Sequence, residues 1–406
     1  MDSSLHHNNP FQSFWWAGFE CADQLNCFGH RVDLLTQTGH LDLIETDYRR
    51  LLPFQIRTVR EGIRWSQVEK RAYQYDWSMV KTLLDTGHKL GVQQIWDLCH
   101  FGYPDDLTPL HPLFARRFAD LSRAFVQFYR DHYPDEDLIV TPINEVSFIS
   151  WLGGDARGTT PYCINQGWEV KRGLMRAYIE AVAAMREIDP TVRILTTEPL
   201  VQIVPPLEAT SDQIIEAAIA DEAQFQAVDM LAGYLAPDLG GSPDYLDILG
   251  FNYYYNNQWI LGFTDYLPWG DAIPDPRWLP LRKLLMKAHH RYQKPIALTE
   301  TSHSGEHRPQ WITMIAEECA AVVEAGVPLW GICLYPIIDR PDWDHLDYWH
   351  QAGLWDADLS ANPPGRVLHI PYAYALIDAQ RLCNEVIHGR ELIGSGKAAL
   401  FIANGQ

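Results

Sequence analysis

Along the chain, short apolar runs alternate with longer stretches of helical spacing. The first run is residues 14–19 (FWWAGF). A helically spaced segment at 42–52 follows, closed by Pro53, and the second run is 57–61, continuing towards Trp65. Asp76 stands where a helix N-cap belongs, helical spacing follows it, and Gly91 sits where a C-terminal glycine belongs. The third run is 94–99. An amphipathic pattern over 112–133 then leads to a fourth, where β-branched Ile139 and Val140 open an apolar stretch that stops at Asn144 and Glu145. Further runs lie at 193–198, 246–254, 295–300 and 329–338, and further helical patterns at 170–188, 211–230, 310–325 and 372–386.

Strands alternating with helices in this way predict a parallel sheet covered by helices. Eight such strands fit an α/β fold with a single (β/α)8 TIM barrel, its core at about residues 12–390 with a short tail from 394. No linker, low-complexity segment or internal repeat marks a second domain, so residues 1–406 are expected to form one barrel domain. The loop at 256–280 is long and holds Trp259, Trp269 and Trp278, and long loops inside compact domains are usually functional.

Composition narrows the function. Across 406 residues, 47% hydrophobic and 21% charged is the make-up of an ordinary globular protein. The formal net charge of −20 argues against binding nucleic acid or an anionic membrane through a basic surface. Seven cysteines are scattered without CxxC spacing and are expected to be reduced; Cys99 and Cys333 lie in apolar runs, where a thiol behaves as a small hydrophobe. The N-terminal ten residues lack the basic and apolar regions of a secretory leader, and no stretch is apolar for about 18 residues. A cytoplasmic location is therefore expected, with the oligomeric state open. No GxGxxG follows a strand, residues 389–397 lack P-loop spacing, and the pairs His289/His290, His303/His307 and His345/His350 form no HExxH, so neither cofactor nor metal is expected.

The chemistry starts from two carboxylates. Side chains at the carboxyl ends of barrel strands face a common mouth. Glu145 follows the fourth strand and Glu300 ends the seventh, on opposite sides of an eight-stranded ring. Hydrolysis of a glycosidic bond with retention of configuration needs such a pair ~5–5.5 Å apart, and inversion needs ~6.5–9.5 Å. Each Glu alone also fits a helix N-cap or an ion-pair partner; the pair is what points to chemistry.

The segment Thr141-Pro142-Ile143-Asn144-Glu145 resembles the Thr-x-Asn-Glu-Pro motif of family 1 glycoside hydrolases, and Leu298-Thr299-Glu300 resembles their Ile/Val-Thr-Glu-Asn-Gly motif. Arg60, the segments His100-Phe101-Gly102-Tyr103-Pro104 and Gly250-Phe251-Asn252-Tyr253-Tyr254, and the segment from Tyr335 to Trp343 resemble further family motifs in the same order. The resemblance covers nearly the whole chain. It implies a retaining glycosidase acting by double displacement on a β-linked glycoside or oligosaccharide, with Glu300 as nucleophile and Glu145 as acid and base. It also implies supporting roles: Arg60 and Tyr254 hold Glu300, and Asn144 donates to the sugar 2-hydroxyl. His100, Phe101, Asn252, Tyr335, Asp342, Trp343 and either Gln24 or Glu20 would line the sugar site, with Tyr335 or Trp343 as an apolar platform. For His100 a hydrogen-bonded core histidine fits as well.

The departures are equally specific. Val146 stands where the family has Pro, Thr301-Ser302-His303 follow Glu300, Tyr335 replaces Trp, and Asp342 replaces Glu. These mark a divergent member or a sister group. Residues 339–347 are acidic apart from Arg340 and His345, which disfavours a 6-phosphosugar. Two other activities fit the same residues: a transglycosidase, and a barrel that binds carbohydrate without cleaving it.

Overall fold

Eight parallel strands close on themselves: β1 (Trp15–Gly18), β2 (Thr58–Gly62), β3 (Gln93–Cys99), β4 (Ile139–Ile143), β5 (Arg193–Pro199), β6 (Ile248–Asn252), β7 (Ile296–Thr301) and β8 (Leu329–Leu334). Each pairs with its neighbours in sequence, and β8 returns to β1 with Ile332 opposite Trp15. In this computed structural model residues 9–263, 265–270 and 273–394 are described. The N-terminal residues 1–8 and the tail beyond 394 lie outside them.

Strand alternation divides the side chains between two layers. Trp16, Ile95, Ile139, Leu195, Ile248, Ala297 and Cys333 pack together in the lumen. Their sequence neighbours Trp96, Val140, Ile194, Leu249, Leu298 and Ile332 join the larger core between strands and helices. Two residues further along, the buried lumen positions turn polar: Asp97 on β3, Thr141 on β4, Thr197 on β5 and Thr299 on β7. The barrel is thus filled with hydrocarbon below and hydrogen-bonding groups above, which fixes the end at which chemistry is possible. Phe11 seals the lower end with its ring centroid 4.1 Å from that of Trp16, whose indole N–H donates to Ser13 O at 2.7 Å.

Several elements differ from the sequence expectations. The single helix expected over 211–230 is a helix at Ser211–Glu222, a 3-10 turn at Ala223–Phe225 and a helix at Gln226–Leu231. Buried Gln224 causes the break, because its amide donates to Asp221 O (2.6 Å) and accepts from Val201 N–H (3.0 Å). The long loop holds a short strand, Gln258–Ile260, paired with Gln202–Val204 outside the barrel. Helices Val146–Gly154 and Leu281–Tyr292 were not anticipated, and the first is so uniformly apolar (VSFISWLGG) that it shows no amphipathic period. The helix expected to start after Asp76 begins at Ser78, with Trp77 at the cap position, although Asp76 still accepts from Ser78 N–H at 3.0 Å. Gly91 ends that helix at φ +63°, as expected. All seven cysteines are free thiols, and among the described residues no helix is long and apolar enough to cross a membrane.

Trp16 fits inside the barrel because β8 presents a glycine to it: a Cβ on Gly331 would lie 2.2 Å from two atoms of the indole. Gly331→Ala should therefore lower stability by about 1–3 kcal/mol through overpacking, read as a lower midpoint in urea unfolding at unchanged slope.

Candidate active site

The end of β4 is clamped between its neighbours. Asn144 N–H donates to Cys99 O at 2.9 Å and Glu145 N–H to Thr197 O at 2.8 Å, so this backbone bridges β3 and β5. Glu145 takes the left-handed conformation (φ +48°, ψ +58°), which costs a non-glycine residue roughly 1–2 kcal/mol. It occupies the N-cap position of helix Val146–Gly154, but its side chain makes no capping bond. Glu198, from the end of β5, accepts from Ser147 N–H at 3.1 Å instead. The Glu145 carboxyl turns into the mouth and accepts from Asn252 Nδ2 at 2.9 Å. Thr299 Oγ1 donates to Asn252 Oδ1 at 2.7 Å, which fixes the amide with its NH2 group towards Glu145.

Across the mouth, Glu300 accepts from Arg60 Nη1 (2.9 Å) and from the Tyr254 hydroxyl (2.7 Å). Arg60 is fully buried and its other bonds reach Thr299 O (2.9 Å), Asp97 (2.6 Å) and Asn144 Oδ1 (3.1 Å). Asp97 also takes His100 Nδ1 at 2.8 Å. The far nitrogen of His100 lies 3.2 Å from the Tyr335 hydroxyl, 3.3 Å from Asn144 Nδ2 and 3.5 Å from Glu20. Tyr335 stacks flat on His100 (interplanar angle 10°), and its ring lies where a side chain on Gly18 would stand. Glu20 pairs with Arg340 Nε at 3.2 Å, and that guanidinium lies over the Trp343 ring.

The two carboxylates sit in unlike surroundings. Burial first, then the charge of Glu300, pushes the Glu145 carboxyl well above the ordinary range, against the opposing Asn252 hydrogen bond. Burial of Asp97 would raise its pKa, but Arg60 and His100 outweigh this and hold it below the usual value. Burial alone would lower the pKa of His100; the Asp97 hydrogen bond and the charges of Glu20 and Glu300 reverse the sign and raise it. Burial raises Glu198.

A cavity of about 680 Å³ opens at this end, within the usual range of small-molecule sites. Of the residues singled out from sequence, Glu20, His100, Phe101, Glu145, Tyr254, Glu300, Tyr335 and Trp343 line it. Arg60, Asn144 and Asn252 lie behind that wall, fully buried. The Asn144 amide is occupied by His100, not aimed at an open sugar position. Gln24 and Asp342 are not in the wall. Asp342 is a shorter acid than the family's Glu; it accepts from the backbone of Asp344 and His345, and His350, 3.1 Å from its carboxylate, lines the cavity in its place. The buried indole N–H of Trp343 finds no acceptor among the described residues, so the cavity wall holds a spare donor. Trp259 also lines the cavity, whereas Trp269 packs against Trp311. A smaller cavity of about 410 Å³ lies at the lower end, around Pro10, Gln12 and Gln93, away from these groups.

Asp97 and Glu198 were not singled out from sequence, although each carried a signal. Asp97 is an acid inside an apolar strand, and Glu198 ends a strand as Glu300 does. Cys21, Asp97 and His100 bring potential metal-ligand atoms within 4.8 Å of one another. The Arg60 guanidinium already satisfies Asp97 there, and burial keeps the Cys21 thiol protonated, so these donors form a hydrogen-bonded network poorly suited to a cation.

Fold and site together define the class: a (β/α)8 barrel whose mouth holds two strand-end carboxylates in opposed environments. No protein-family model and no curated protein matches the sequence. Solved structures do. The family 1 b-glucosidase from Thermotoga maritima superposes with a TM-score of 0.69 at 15% identity, over 92% of this chain and 98% of that one. The same enzyme in complex with isofagomine lactam gives 0.67 at 16% identity over 84% and 88%, and with glucoimidazole 0.68 at 16% over 84% and 87%. At this identity the likeness is one of fold.

The electrostatics predict two opposite shifts. Glu300→Gln removes the charge that raises Glu145 and should lower the midpoint of its titration. Asn252→Ala removes a donor that stabilises the carboxylate and should raise it. Carbon-13 NMR of labelled glutamate across a pH series checks both directions.

Proposed function

We propose that the chain is a retaining β-glycosidase. Glu300 attacks the anomeric carbon as the bond to the leaving oxygen breaks, and Glu145 gives its proton to that oxygen. The glycosyl ester on Glu300 is then opened by water, whose proton returns to Glu145. The observation that carries this reading is the contrast between the two carboxylates: burial and its neighbour's charge push the Glu145 carboxyl up, while Glu300 is gripped by a guanidinium and a phenol. Opposed environments of this kind support reading one as the acid and the other as the nucleophile. The cycle resets itself, because esterification removes the Glu300 charge, the pKa of Glu145 falls, and the same group becomes a base for the incoming water.

The substrate expected is a small neutral glycoside. Arg340, the cation of the acidic loop, is already paired with Glu20, which leaves hydroxyl-binding groups at that end of the cavity. The likeness in fold to an enzyme whose solved complexes hold isofagomine lactam and glucoimidazole supports the same reading.

On a panel of aryl β-glycosides, Glu300→Gln should reduce kcat by at least about 10³-fold with the thermal midpoint retained, since Gln still offers partners to Arg60 and Tyr254. Glu145→Ala should stay active only on substrates whose leaving group needs no proton, with turnover restored by azide. A 2-fluoro glycoside should label Glu300. Undiminished hydrolysis by Glu300→Gln, or a product of inverted configuration by proton NMR, would sink the assignment. Because Glu145 acts as the acid, kcat/KM should fall on the alkaline side through a pKa above the ordinary carboxylate range.

A further inference from the structure

Glu145 holds an N-cap position without capping. The first turn of a helix leaves backbone N–H groups unpaired, and the N-cap side chain ordinarily accepts from the second or third of them. In helix Val146–Gly154 the second is Ser147 N–H, and it is taken from another strand: Glu198, at the end of β5, accepts from it at 3.1 Å. Glu198 is only 3% exposed and does not line the cavity. A carboxyl buried out of reach of substrate is costly unless it is paired, and the amides at this helix end, at the positive pole of the helix dipole, pair it.

The end of β5 holds the acid at three points. Thr197 O accepts from Glu145 N–H at 2.8 Å, and Glu198 accepts from Ser147 N–H. Leu200 N–H donates at 2.9 Å to the backbone carbonyl of Asn252, whose side-chain amide meets the Glu145 carboxyl at 2.9 Å. A stretch of four residues thus sets the acid and its hydrogen-bond partner against each other. The same helix carries Phe148 and Trp151 into the apolar part of the cavity wall.

We propose that Glu198 is a positioning residue for the acid: it takes the amide at the head of this helix in place of Glu145, so that the Glu145 carboxyl stays turned towards Asn252 and the mouth. The inference rests on the glycosidase reading for the part that Glu145 plays. Glu198→Ala leaves the Ser147 amide to be capped by the N-cap residue itself, which draws the Glu145 carboxyl out of the mouth.

Glu198 also acts by charge. After burial, Glu300 on β7 and Glu198 on β5 raise the pKa of Glu145, while the Asn252 hydrogen bond from β6 and Arg60 on β2 oppose them. Burial raises Glu198 in turn, against the Ser147 and Val146 amides and the charge of Lys171 on helix Gly167–Ile188. Lys171 Nζ donates to Gln226 Oε1 at 2.9 Å. Burial, then the charge of Glu198, raises Tyr178 on the same helix. Glu198→Gln keeps an oxygen for the Ser147 amide and removes the charge, so the pKa of Glu145 should fall.

The test is kcat/KM of the full chain on aryl β-glycosides ranging from phenyl to 2,4-dinitrophenyl. Acid assistance matters most for the poorest leaving group, so in Glu198→Ala the loss should be at least about tenfold larger for phenyl than for 2,4-dinitrophenyl. Glu198→Gln should restore the wild-type dependence on leaving group, while its alkaline limb moves to lower pH by about half a unit or more. A merely structural role lowers every substrate alike and leaves the limb in place; either result overturns the inference. Should Glu198→Ala lose its thermal transition, the limb of Glu198→Gln decides alone. If the wild-type protein hydrolyses no aryl glycoside, the glycosidase reading fails and carbon-13 titration of Glu145 in Glu198→Gln decides on Glu198: a lowered midpoint upholds its action on Glu145, and an unmoved one overturns it.

Discussion

The mouth of this barrel is organised by one buried cation. Arg60 on β2 is fully buried, and a guanidinium in that position is tolerable only if it is well paired; both Nη groups meet acceptors, while Nε finds none among the described residues. The acceptors come from three other strands: Asp97 on β3, Asn144 at the end of β4, and Thr299 O with Glu300 on β7. The pairing therefore closes the polar end of the barrel much as Trp16 fills the apolar end. It also divides one positive charge between two carboxylates. Asp97 takes part of the Arg60 field, so the region around Glu300 keeps enough negative charge to act on Glu145 across the mouth. His100 offsets the second carboxylate and is held by it in one orientation.

Two of the departures from the family 1 pattern, Tyr335 and Asp342, share one segment with Arg340 and Trp343, and Tyr335, Arg340 and Trp343 line the cavity. The Asp342 carboxylate turns into its own loop, where it accepts from the backbone N–H groups of Asp344 and His345, and His350, 3.1 Å from it, lines the cavity. Arg340 then enters the cavity neutralised by Glu20 and supported by the Trp343 ring. The Tyr335 hydroxyl lies 3.2 Å from His100.

The barrel was legible in the sequence because buried parallel strands are short apolar runs and their covering helices are amphipathic. Glu145 and Glu300 were legible because a charged residue at the end of such a run has few structural reasons to be there. What escaped notice did so for physical causes. Helix Val146–Gly154 is apolar on all sides, so periodicity could not reveal it. The break at Ala223–Phe225 depends on where the Gln224 amide finds partners across the chain. Asp97 acquires its meaning only from Arg60, 37 residues away. Asp342 and Gln24 were placed by analogy of position, and which way a side chain turns out of a loop is decided by the nearest unpaired backbone groups.

Glu145 stands at the threshold of the helix that carries Phe148 and Trp151, and its own backbone is in the left-handed region. The Glu145 carboxyl and the apolar wall are therefore carried by one continuous stretch of backbone. Any substitution that tilts this helix to admit a different wall occupant also swings the carboxyl relative to Asn252 and Glu300. The shape of this wall and the acidity of Glu145 are coupled through a single helix, whereas the long loop and the Ser211–Glu222 helix can change shape without moving that carboxyl.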